Sequence, residues 1–129
     1  MATYTGNDGV VKIGTNTVAE VTSFTVTENA DRVEDTALGD TNRTYKSGLS
    51  DVSGTIECHY DDTDTNGQGA MTIGSEVSLV LWPIGSGTGN PEWTVTATIL
   101  GINTTVQFNE IVSASFEWGA AGTLTKGTQ

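Results

Sequence analysis

One eleven-residue run, Asp51 to Asp61, limits what this chain can become more than any other. Between the two aspartates, Val52, Gly54, Ile56, Cys58 and Tyr60 alternate with Ser53, Thr55, Glu57 and His59. Successive strand side chains point to opposite sides, so a period of two makes an extended strand with one dry face and one wet face. The same period returns in Val77, Leu79 and Leu81, in Trp93, Val95, Ala97 and Ile99, and in Val112, Ala114, Phe116 and Trp118. Strands built this way must lay their dry faces on one another, and 129 residues suffice for one such core. Polarity comes from threonine, serine, asparagine and 16 glycines rather than from charge, which suits pleated, half-exposed surfaces.

The remaining segments fill in a mainly β domain spanning 1–129. Val10 to Ile13 predicts a short strand, and Thr17 to Glu28 a longer one whose parity switches near Val21 to Ser23, the mark of a bulge. Thr104 to Phe108 reads as a further short strand. Asp64 or Thr65 is placed to cap a short helix over 66–73 that Gly74 ends. The expected fold is a two-sheet β-sandwich or barrel with one short flanking α-helix and a long inter-strand loop over 28–50. Residues 1–8 read as a flexible arm and 119–129 as a C-terminal tail.

Charge excludes some functions. Sixteen acidic and five basic residues give a formal net charge of −11. Nucleic-acid binding needs clustered Lys and Arg to displace counterions, so specific DNA binding and attachment to an anionic membrane are not expected. Three of the five basic residues, Arg32, Arg43 and Lys46, fall in the 28–50 segment. On so acidic a chain that segment is the candidate for touching another acidic surface, and a second copy is the nearest one. The N-terminal MATYTGNDG has neither the basic start nor the apolar run of a signal peptide.

No catalytic, metal or cofactor residues are expected. Asp62-x-Asp64-x-Asn66-Gly67 opens like a calcium loop, but its twelfth position is Ile73 instead of a bidentate Glu, and a strand precedes it. Gly85 to Asn90 lacks the Lys-Ser/Thr of a phosphate loop and reads as a hairpin turn. The lone His59 shares its strand face with Glu57 and Asp61 but with no nucleophile. Cys58 lies on the dry face, the place of an inert thiol.

Long strands with two prolines and five basic residues in the whole chain leave sheet edges poorly defended. Such edges make sense if identical neighbours fill them. Several stretches carry a resemblance at this point: Gly9-Val10-Val11-Lys12-Ile13, Val18 to Phe24, Asp51-Val52-Ser53-Gly54, Tyr60-Asp61, the segment ending at Gly74, Val77 to Trp82, and Gly122-Thr123-Leu124. In order and spacing they resemble the major tail tube proteins of long, non-contractile-tailed, siphophage-like bacteriophages. The resemblance implies a structural virion protein of the tail, made and assembled in the host cytoplasm. It implies homo-hexameric rings stacked into a tube, other tail proteins at the tube ends, and DNA passing through without specific binding. It also implies a long loop and termini that bridge subunits. Within that picture the wet face of the central strand, chiefly Ser53, Thr55, Glu57 and His59, becomes the candidate channel lining. Arg32, Arg43 and Lys46 become candidate intersubunit residues. The competing expectation is a monomeric β-sandwich binding module, carbohydrate-binding or immunoglobulin-like, on a virion or cell surface.

Overall fold

The computed structural model describes Tyr4 and residues 6–129. Eight strands follow in order: β1 (Val10–Ile13), β2 (Asn16–Thr17), β3 (Val21–Glu34), β4 (Tyr45–His59), β5 (Glu76–Trp82), β6 (Pro91–Thr105), β7 (Ser113–Ala120) and β8 (Thr125–Thr128). All pair antiparallel in one sheet of order β2-β1-β5-β6-β7-β4-β3, with β8 also on β6. The expected two-sheet sandwich is therefore a single sheet. The reason is β6, whose fifteen residues belong to both halves. Its first part pairs with β5 and β8, and its second part pairs with β7. A register shift between Ile99 and Gly101 marks the junction, and a bulge there bends the strand.

The sheet closes its dry face on itself. Val11, Leu79, Leu81, Val95 and Ile99 from one half meet Ile56, Cys58, Ala114, Phe116 and Trp118 from the other. Full burial of each Leu, Ile or Val side chain contributes on the order of 2 kcal/mol. The curl brings the start of β1 to the start of β3, where a Cβ on Gly9 would lie 3.4 Å from the Phe24 ring. The β3 bulge falls between Val21 and Ser23, where the parity switch predicts it.

Three further expectations change. Among the described residues there is no α-helix; the 66–73 segment holds only a 3-10 turn, Gln68–Ala70. Gly67 and Gly69 weaken a helix there, and the side chain of Asp64 takes the Gly67 and Gln68 N–H groups in an irregular turn. The 28–50 segment is mostly strand: β3 and β4 stay paired from Glu28–Val52 out to Glu34–Tyr45, leaving only 35–44 as a loop. Its period was invisible because both faces are in water and a second register shift, between Ala30 and Arg32, breaks the parity. Thr104 and Thr105 end β6 rather than forming a separate strand.

The 119–129 tail is ordered into β7 and β8, with Leu124 half-buried. Gln129 closes it by donating from Nε2 to the Gly85 carbonyl (2.7 Å) and accepting at Oε1 from the Gly87 N–H (3.1 Å). Half of the expected 1–8 arm lies outside the described residues; of the rest, Gly6–Asp8 form a 3-10 turn.

Gly54 marks a close approach of strands and ring within the sheet. A Cβ there would lie 2.0 Å from the Thr25 carbonyl oxygen and 2.8 Å from the Trp118 ring. Overpacking of this kind costs about 3 kcal/mol, so Gly54→Ala should lower the guanidinium midpoint by that equivalent. Gly122→Ala, with nothing within 4 Å, should stay within about 0.5 kcal/mol of wild type. Equal stabilities for the two variants would refute the close approach.

Candidate functional site

The wet face of β3, β4, β7 and the far half of β6 is a continuous polar surface. Register places Ser23, Thr25, Thr27 and Asn29 of β3 beside Glu57, Thr55, Ser53 and Asp51 of β4. On the other side, His59, Glu57, Thr55 and Ser53 face Ser113, Ser115, Glu117 and Gly119 of β7. The four candidate lining residues are thus brought together on one strand: Glu57 exposed, and Ser53, Thr55 and His59 half-buried among their neighbours. The hydroxyls of Thr25 and Thr55 share a 2.8 Å hydrogen bond, and Ser23 donates to a Glu57 carboxylate oxygen at 3.1 Å. Such cross-strand pairs hold side chains in register without burying them.

This face carries the carboxylates of Asp51, Glu57 and Glu117 and no Lys or Arg. Sequence reading missed two contributors. Glu117 is legible from the β7 alternation. So is Leu100, which follows the dry Ile99 on the opposite parity; its exposed side chain lies 3.0 Å from where a Cβ on Gly119 would sit.

The three candidate intersubunit residues lie together on the outer β3–β4 ribbon, and each already has a partner within it. The Arg32 guanidinium stacks 3.8 Å above the Tyr45 ring. Arg43 approaches Glu34 at 3.9 Å and Lys46 approaches Asp35 at 3.7 Å, both pairs well exposed. Exposed pairs of this length contribute little to stability and exchange partners easily. The 35–44 loop is braced by Asp35 accepting from the Thr44 hydroxyl and by Asp40 accepting from the Ala37 N–H at 2.7 Å. The two remaining basic residues, Lys12 and Lys126, sit over the Trp82 and Trp93 rings, and Lys126 also pairs with Glu28 at 2.9 Å.

The calcium-like segment is a fastening. Asp64 accepts from the Ala19 N–H at 2.8 Å as well as from Gly67 and Gln68. The buried Gln68 amide donates to the Ala19 and His59 carbonyls, each at 2.9 Å, and accepts from the Asp61 N–H at 3.1 Å. Nothing in the alternation or the acidic run flags Gln68. The Thr63 hydroxyl, followed by its N–H, holds the Asp61 carboxyl below its ordinary range. Among the described residues no three His, Cys, Asp or Glu side chains converge as a metal site. Burial, reinforced by the Asp64 carboxylate, pushes the Cys58 thiol up to about 11.

No family model matches the chain, and no curated protein matches it. Its fold, however, is shared with chains of solved tail and injection-system structures. Over 98% of its length it superposes on all of a chain from the tail of an empty gene transfer agent particle with C6 symmetry, with TM-score 0.81 and 19% identity. It covers 99% of itself and 99% of a chain from the sheath/tube terminator of an extracellular contractile injection system, PVC, with TM-score 0.78 and 13% identity. With the SPP1 tail tube the values are 98% of this chain, 80% of that chain, TM-score 0.69 and 11% identity. At such identities the likeness establishes a common fold.

Gln68→Ala should strand the Asp61 N–H and the Ala19 and His59 carbonyls, costing about 2–3 kcal/mol in chemical denaturation. Wild-type stability in that variant would show that water satisfies these groups equally well.

Proposed function

We propose that this chain is a structural subunit of the tail of a phage-like or injection particle, a tube or tube-terminator component. Its finer role in this reading is that of a siphophage-like tail tube subunit in the virion. It forms hexameric rings stacked into a tube, with other tail proteins at the ends. The observation that carries the reading is a fold likeness over 98–99% of this chain to chains of two tails and of one injection-system sheath/tube terminator.

Two physical features support it. Among the described residues the outer edge of β3, fourteen residues long, has no strand beyond it in the sheet order and contains neither Pro nor Lys. Its two register shifts and its Glu28, Asp31, Arg32 and Glu34 defend it in part, but an edge of that length still offers unpaired backbone to a neighbouring subunit. The polar face of β4 and its neighbours offers hydroxyls and carboxylates in place of cations. A channel lined by Ser53, Thr55, Glu57 and His59 would hydrate and repel passing DNA, whereas each Lys–phosphate contact would add affinity through counterion release. The rival reading, a monomeric carbohydrate-binding or immunoglobulin-like module, calls for an open aromatic platform. It draws no support from Trp118, which is buried, or from Trp82 and Trp93, which lie under lysines.

Negative-stain microscopy of the purified chain tests the reading directly, with tubes expected and dispersed monomers at high concentration refuting it. Subunits of formal charge −11 repel one another, so light scattering should rise with salt as the screening length shrinks below about 10 Å at 0.1 M. Scattering that stays flat or falls would count against charge-limited assembly. Arg43→Glu combined with Lys46→Glu should leave the circular dichroism spectrum unchanged and block polymerisation. Normal tubes from that double variant would remove the arm's basic residues from the interface.

A further inference from the structure

The calcium-like segment contains Asn66-Gly67, the one Asn-Gly pair in the chain. An asparagine followed by glycine cyclises readily, because no side chain shields the glycine nitrogen and its backbone turns freely. Asn66 is exposed, and among the described residues its side-chain amide makes no hydrogen bond. Gly67, by contrast, is buried and its N–H is held. Asp64 Oδ1 accepts from it at 3.2 Å, while Oδ2 accepts from the Gln68 and Ala19 N–H groups at 3.1 and 2.8 Å. Only glycine fits at this position, since a Cβ there would fall on the Asp64 carboxylate, 2.8 Å from its Cγ. The side chain that fastens the segment therefore forces glycine to follow Asn66. It also engages the proton that this glycine must lose in order to react.

We propose that Asn66 is a site of spontaneous deamidation that Asp64 holds in check, and that the reaction, once it occurs, releases the Gln68 fastening. When the turn opens, the Gly67 nitrogen gives up its proton and attacks Asn66 Cγ. The new N–Cγ bond closes a five-membered imide, the Cγ–Nδ2 bond breaks, and Nδ2 leaves as ammonia, taking up a proton equivalent to the one given up. Water then opens the imide at either carbonyl to aspartate or isoaspartate, so one water is consumed for each ammonia released. With the turn closed, the Gly67 N–H must be withdrawn from a carboxylate and ionised beside it, and both steps are unfavourable. In isoaspartate the main chain runs through the former side-chain carbon and is one atom longer. That atom falls between Asp64 and Gln68, whose amide reaches the Ala19 and His59 carbonyls at 2.9 Å and accepts from the Asp61 N–H at 3.1 Å. The lengthened chain carries Gln68 out of these bonds and uncouples the turn before β3 from the end of β4. The inference draws nothing from the tail reading, so its failure leaves that reading standing.

Peptide mapping by mass spectrometry follows the conversion in mildly alkaline buffer. Chain denatured in urea should deamidate at Asn66 roughly tenfold or more faster than folded chain, the protection expected of a hydrogen bond to a charged acceptor. Asp64→Ala should remove most of that protection. Gln68→Ala loosens the same segment but keeps the bond from Gly67 to Asp64, so its rate should stay within about threefold of wild type. Folded chain that converts as fast as denatured chain overturns the proposal, and this comparison holds even where Asp64→Ala fails to fold. Equal acceleration in Asp64→Ala and Gln68→Ala also overturns it, because general loosening would then set the rate. The isoaspartyl form, separated by chromatography, should lose as much stability to guanidinium as Gln68→Ala does. Asn66→Asp, with the new charge on an ordinary backbone, should stay close to wild type. An isoaspartyl form as stable as Asn66→Asp would mean that the fastening survives, and would overturn the second half of the proposal.

Discussion

A lone antiparallel sheet has no second layer to lean on. If one face is apolar, the sheet must curl until that face covers itself. This constraint governs the present fold. It requires a strand long enough to serve both halves, which β6 supplies, and a break in register where the strand turns, which the shift after Ile99 supplies. It also requires one place where backbone and ring can meet without a side chain between them. Gly54 is that place, with the Trp118 indole lying against it and the Thr25 carbonyl close behind. Trp118 bears a cost for the position: its Nε1–H is buried without a partner among the described residues, an arrangement that packing around the ring has to outweigh.

Much of this was legible in the alternation. Ile56 and Cys58, Leu79 and Leu81, Val95 and Ile99, and Phe116 and Trp118 are buried where a period of two puts them. What alternation cannot convey is connectivity between halves. Two layers sharing one long strand give the same pattern as two separate sheets, so the sandwich expectation failed at β6. The ribbon was hidden for the opposite reason. Strands wet on both faces have no dry side to mark them, and 28–50 therefore looked like a loop. The helix expectation failed because Asp64 and Gln68 bond to backbone groups distant in sequence, at Ala19 and His59, which no local signal reveals. The polar face was legible strand by strand; that β3, β4, β7 and β6 join it into one surface was not.

The distribution of charge is as ordered as the core. Each of the five basic side chains rests on an aromatic ring or near a carboxylate, and none lies on the hydroxyl-rich face. The surplus of carboxylates is left to water. A chain with this balance keeps its copies apart through long-range repulsion and must rely on short-range contacts to join them. The outer edge of β3 offers unpaired backbone for contacts of that kind.

The fully exposed β3–β4 ribbon has a consequence for the isolated chain. It orders some twenty-five residues, 27–51, without burying any of them, so it draws on the stability of the body and returns little. Its backbone amides should exchange with solvent long before those of the core strands, and only material packed against the ribbon would slow them.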